Sequence, residues 1–183
     1  PCVCSDPATP TGLLDTAHEV GCHLRLIGSD FHLKENESSW DWWDENQSVE
    51  GLPMLPLKGA HQLRNAAGVL ELIATMGCSI DNNVVQKSIT ELQLVGRFQE
   101  LFARNRKIIL DVAHNAQSAS ALAQNLSDLV KVEKIYGIVI LKKSKDIKSF
   151  LYALKGSIDV WIFPNLEEGE FYSSLTLEKE LRK

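Results

Sequence analysis

Short apolar runs alternate with helical periodicity through the first half of the chain. Val3 lies in a brief apolar stretch before the turn-rich Ser5-Asp6-Pro7-Ala8-Thr9-Pro10, which predicts a strand followed by a turn. Leu13, Leu14, Ala17 and Val20 then recur at helical spacing, and Gly21 stops that helix. Leu24, Leu26 and Phe31 mark strands around Gly28, and the antiparallel reading continues through the polar residues 34–51. Trp40 and Trp42 alternate there, as on a strand with one buried face. Two helices follow. Residues 61–76 place Leu63, Ala66, Ala67, Leu70, Ile73 and Ala74 on one face, with Gly77 as the residue that ends the helix. Residues 81–92 open on Asp81, a good N-cap, and carry Val84, Val85 and Ile89.

After Gly96 the pattern becomes strand, helix, strand, helix, strand. The run Lys107-Ile108-Ile109-Leu110-Asp111-Val112 predicts a strand buried on both faces. Asn115 or Ser118 caps a helix through Leu122 and Leu126 to about residue 129. A second apolar run spans 135–141, Asp146 opens a helix with Ile147, Phe150, Leu151 and Leu154, and Asp159-Val160-Trp161-Ile162-Phe163 is a third strand. That order implies a parallel sheet with right-handed crossovers. The expected hinge lies at 94–96, so the chain divides into residues 1–95 and 96–183.

Charge and composition narrow the function. Nineteen Lys and Arg against 24 Asp and Glu leave a net charge of −5, which disfavours a broad nucleic-acid surface. Trp40, Trp42 and Trp43 would make an aromatic platform for nucleic acid only with basic neighbours, and Asp41, Asp44 and Glu45 are acidic. No apolar run approaches the roughly 18 residues that a membrane-spanning helix needs. The Cys2-x-Cys4 spacing is wrong for a zinc ribbon, and four reduced thiols (Cys2, Cys4, Cys22 and Cys78) are expected in a cytoplasmic protein. The opening Pro1-Cys2-Val3-Cys4 has no Met and no signal-peptide pattern, so the sequence is expected to begin inside a longer protein.

Chemistry is expected beyond the carboxyl ends of strands in an open α/β sheet. The strand at 107–112 ends in Asp111-Val112-Ala113-His114-Asn115, beside the start of a helix that would attract anions. Asp111 can accept from ribose hydroxyls there; the alternatives are a loop-capping carboxylate for Asp111 and a surface imidazole for His114.

Gly96-Arg97-Phe98-Gln99, the segment 109–115, Asn65-Ala66-Ala67 and Lys145-Asp146-Ile147 together resemble the signature of dihydrofolate synthase/folylpolyglutamate synthase, within the Mur ligase superfamily. The resemblance implies an α/β fold. Residues 1–95 would be the end of a Mur-type central ATPase domain, and 96–183 a Rossmann-like C-terminal domain with a mainly parallel sheet, incomplete at its end. It implies a cytoplasmic ATP- and Mg2+-dependent ligase of folate biosynthesis and one-carbon metabolism, monomeric at full length, which adds glutamate to dihydropteroate or folate through an acyl phosphate. Arg97 would reach the ATP phosphates when the domains close, Asp111 would accept from the ribose, and Asn65 would hold the adenine or a nearby atom. His114 would lie near the transferred phosphate or the glutamate, as the catalytic residue. The plainer alternatives are a polar helix-face residue for Asn65 and a hinge salt bridge for Arg97.

Several family features depart. The Gly-rich phosphate loop is absent, the family's Mg2+ ligands lie outside these residues, Ala116 replaces the usual Pro, and 141–145 is unusually basic. The chain alone is therefore expected to be inactive. Competing functions are a peptidoglycan-precursor ligase of the Mur type and a non-catalytic nucleotide-binding module; the Gly-Arg-Phe-Gln wording favours folate over the cell wall.

Overall fold

The chain, described by a computed structural model, divides into two units, Pro1–Leu94 and Val95–Lys183. The structure describes residues 1–59, 61–130, 132–166 and 169–183.

In the first unit, β1 (Cys2–Cys4) and β2 (Leu24–Leu26) pair in parallel, joined by α1 (Thr11–Glu19). Then β3 (Phe31–Glu35), β4 (Ser39–Asp44) and β5 (Ser48–Pro53) form an antiparallel meander. The alternation of Trp40 and Trp42 holds: both side chains are fully buried, whereas Trp43 is 37% exposed and stacks on His32. With Phe31, Val49 and Leu52 they meet Leu63, Ala67 and Leu70 of α2 (His61–Thr75) and Ile89 of α3 (Asn82–Thr90). Asp81 caps α3 through the amides of Asn83 and Val84. α2 ends as its sequence suggests: Gly77 at φ 77° donates to Ala74, and Cys78 donates to Ile73.

The buried face of α2 differs from the expected one. Ile73 is 37% exposed, and the fully buried residue one turn after Ala67 is the charged Glu71. Periodicity counts apolar residues, so it cannot see a carboxylate buried by a partner. That partner is Arg25 of β2, whose Nε donates to Glu71 Oε1 at 2.6 Å. The Arg25 fork also reaches Glu45 Oε1 and the Asp30 carbonyl, both at 3.1 Å. Burial raises the Glu71 carboxyl above its ordinary range, because Arg25 serves one oxygen and leaves Oε2 with no donor among the described residues.

In the second unit, β6 (Gln99–Ala103) and β7 (Arg106–Leu110) form an antiparallel hairpin. Its two-residue turn places Arg104 and Asn105 at φ 48° and 60°, the left-handed pair that suits the twist of hairpin strands. This corrects the expectation of a doubly buried strand: Ile108 and Leu110 are 41% and 42% exposed, and Ile109 packs against the core. A hairpin strand packed on one side alternates, whatever the apolarity of its run. α4 (Ala116–Ser127) follows. β8 (Tyr136–Ile138) and β9 (Val160–Ile162) pair in parallel around α5 (Ile147–Leu154), as expected, and α6 (Ser174–Leu181) closes the unit. The expected mainly parallel sheet is thus one parallel pair and one antiparallel pair. Phe98, Ala119, Leu126, Val139, Leu141, Phe150, Leu151, Leu154 and Leu177 form the core.

Candidate functional site

The end of β7 and the turn before β6 are built as one piece. Asp111 Oδ2 accepts the Phe98 amide at 2.9 Å, and Oδ1 accepts the Ala113 amide at 2.7 Å. The Val112 amide donates to the Gly96 carbonyl at 2.9 Å. Gln99 Oε1 accepts the Gly96 amide at 3.1 Å. Gly96 has φ 72°, and a Cβ there would lie 2.7 Å from Val112 Cγ1, so both conformation and space call for glycine. Phe98 also takes a left-handed φ of 46°, held by the hydrogen bond its amide donates to Asp111 and by its burial in the core, only 5% exposed. Between these two fixed residues Arg97 is exposed, with no hydrogen bond or ion pair among the described residues.

Asp111 is therefore a turn-clamping carboxylate, the plainer of its two sequence readings. The ribose reading survives beside it, because an ionised carboxylate has about four acceptor positions and two are used. Arg97 forms no salt bridge among the described residues.

His114 is exposed, and its Nδ1 lies 2.9 Å from the Val112 carbonyl. A carbonyl only accepts, so Nδ1 is the donor of this bond, and in the tautomer that serves it the ring's acceptor is Nε2. The His114 amide donates to Ser118 Oγ at 3.1 Å. Asn115 is the N-cap of α4: its side chain accepts the Ser118 amide, and Ser118 Oγ accepts the Asn115 amide. Both candidates for that cap are used. Ala116 occupies the first helical position, where a Pro would also fit.

Asn65 belongs to the other unit, exposed on α2, with its Nδ2 3.4 Å from Gln62 Oε1. Its Oδ1 has no hydrogen-bond partner among the described residues. The structure thus brings together the Arg97 turn, Asp111 and His114. The sequence reading missed Gln99 and the Phe98 amide as parts of this cluster; the signal was present as a Gln three residues after a Gly.

Comparison with known proteins extends the geometry. No protein-family model matches the chain. A dihydrofolate synthase/folylpolyglutamate synthase of Escherichia coli (strain K12) is 29% identical over 167 residues, covering 91% of this chain and 38% of that protein. A structure described as E. coli FolC in complex with DHPP and ADP superposes with a TM-score of 0.84 at 27% identity, over 99% of this chain and 42% of that one. The chain is homologous to dihydrofolate synthase/folylpolyglutamate synthase. A bifunctional folylpolyglutamate synthase/dihydrofolate synthase with Mn, AMPPNP and L-glutamate bound aligns at TM-score 0.82 and 27% identity, over 98% of this chain and 42% of that one. The chain spans about two fifths of the length of these folylpolyglutamate synthase relatives, 38% and 42%.

The Mg2+ implied by the resemblance finds no fit here. Among the described residues no group of three or more His, Cys, Asp or Glu could hold a metal ion. Among the same residues no helix is long and apolar enough to cross a membrane.

Proposed function

We propose that this chain is the nucleotide-contacting portion of a cytoplasmic, ATP-dependent ligase that adds glutamate to dihydropteroate, folate or both. Residues 1–95 are read as the end of its central ATP-binding domain and 96–183 as its Mur-type C-terminal domain. In this reading the γ-phosphate of ATP passes to a carboxylate of the pterin substrate, releasing ADP. The glutamate amine then attacks the acyl phosphate, and phosphate leaves as the amide forms. Arg97 meets the phosphates with its guanidinium fork. Asp111 offers its remaining acceptor positions to the ribose, Asn65 offers Oδ1 and Nδ2 to the adenine or a nearby atom, and His114 presents Nε2 to the phosphate or the incoming amine.

One observation carries the proposal. The turn before β6 is anchored on both sides of Arg97 while its guanidinium has no partner among the described residues. An anchored, unpaired cation beside a strand-end carboxylate suits a ligand that is anionic at one end and hydroxylated next to it. Isothermal titration tests this. ATP should bind the chain, and Arg97→Ala should weaken ATP far more than adenosine. Equal affinities of ATP for the two forms would overturn the assignment.

A further inference from the structure

We propose that Gln99 is a positioning residue for Arg97. By accepting the Gly96 amide, its side chain closes the turn and holds the guanidinium ready for a nucleotide phosphate. The inference rests on the nucleotide-binding reading above and adds a residue which that reading does not use.

Three anchors hold the turn. The Val112 amide binds the Gly96 carbonyl, the Asp111 carboxylate binds the Phe98 amide, and the Gln99 side chain binds the Gly96 amide. The first two come from the end of β7. The third is internal to the turn and depends on one side chain. Gly96 is buried and Gln99 Oε1 accepts its amide, so removing that side chain leaves the amide to find another acceptor by shifting the turn. Gly96 and Phe98 are both in the left-handed region, Phe98 at a cost that an aromatic residue meets only when its surroundings enforce it. Opening the turn releases that strain and with it the fixed direction of Arg97. A free arginine must then be ordered each time a phosphate binds.

The chemistry of the anchor sets its specificity. Gln99 opens β6, paired across from Leu110, and its two methylenes let Oε1 reach back three residues. Glu keeps that acceptor at the same reach. Met keeps the length and loses the acceptor, and Asn keeps the acceptor and loses the reach.

The test uses the 15N-labelled chain, titrated with ATP and separately with adenosine, with amide exchange read at Gly96. Gln99→Met should speed Gly96 exchange and weaken ATP about tenfold, the size of one lost charge-positioning contact. Adenosine affinity should stay as in wild type. Gln99→Asn should behave like Gln99→Met, which keeps the test sharp if the Met variant folds poorly, and Gln99→Glu, which keeps the acceptor but adds a negative charge beside Arg97, should keep Gly96 exchange slow. In an Arg97→Ala background Gln99→Met should cost nothing more, since it acts through the guanidinium. Unchanged Gly96 exchange, wild-type ATP affinity despite faster exchange, or an equal further loss in the Arg97→Ala background would each overturn the proposal. Failure of the nucleotide reading looks different: Arg97→Ala itself would then leave ATP affinity unchanged.

Discussion

The Asp111 carboxylate and the Phe98 amide share a 2.9 Å hydrogen bond that ties the end of β7 to the turn before β6. The second carboxylate oxygen holds Ala113 at 2.7 Å, so one side chain fixes the chain on both sides of the strand end. Asp111→Ala leaves two amides without their acceptor and Phe98 without the bond that offsets its left-handed backbone. The expected loss is about 2 kcal/mol, given charge-assisted bonds that are partly solvent-exposed. Asp111→Asn should lose part of it, since its single oxygen faces two donors. Amide exchange at Phe98 and Ala113 is the check: both should speed up in the Ala variant, and unchanged exchange at Phe98 contradicts the clamp.

Gly96→Ala should be costly for two separable reasons. Its φ of 72° strains any residue with a Cβ, and the new atom would sit 2.7 Å from Val112 Cγ1, on a stiff β-branched side chain. Together these give about 1–3 kcal/mol. Adding Val112→Ala should return the steric part and leave the backbone part. Urea unfolding of the single and double variants reads this, and a double variant no better than Gly96→Ala would remove the steric contribution.

Much of the molecule is legible from its residues, and the misses have physical causes. Trp40 and Trp42 face inward as their alternation requires, and Asp81, Asn115 and Asp146 cap the helices they precede. The hairpin of β6 and β7 was hidden because Arg104-Asn105 lacks the glycine that usually announces such a turn, while Asn still tolerates its left-handed conformation. The apolar run at 108–110 then read as a central strand. At the candidate site, Asp111 and His114 stood out as polar residues at a strand end, and Arg97 through the resemblance of Gly96-Arg97-Phe98-Gln99 to a family signature. Gln99 did not, because a neutral amide shows its purpose only once its acceptor oxygen is seen against the Gly96 amide.

Arg25 and Glu71 provide a test of the first unit's interior. Glu71 is fully buried, and its bond to Arg25 is the compensation for that charge. Arg25→Met should destabilise by about 3–5 kcal/mol by stranding the carboxylate. The double variant Arg25→Met with Glu71→Leu should recover a large share, because it removes the charge that needed a partner. Denaturant midpoints of the three proteins decide it. A double variant as unstable as the single one would mean that packing, not charge, dominates there.

Acid should act visibly at the start of α5. The Ser149 hydroxyl, at 2.6 Å from Asp146 Oδ2, is the main cause that holds the Asp146 carboxyl below its ordinary range, followed by the Ser149 amide. A carboxyl with a depressed folded-state pKa stabilises the fold above its unfolded value and loses that contribution as pH falls through the folded one. Thermal midpoints followed from about pH 6 to pH 2 should therefore fall less steeply in Asp146→Ala than in wild type, the two curves converging in acid. Parallel curves would show that the cap carries no such linkage.

The β7 strand end and the turn carrying Arg97 are proposed to bind an adenine nucleotide together. The most direct measurement is a titration of the 15N-labelled chain with AMPPNP, followed residue by residue. Saturable shifts should gather at Arg97, Phe98, Asp111, Ala113 and His114 and be lost in Arg97→Ala. Saturable shifts elsewhere with these five amides unmoved, or no shifts at any nucleotide concentration, would contradict this assignment.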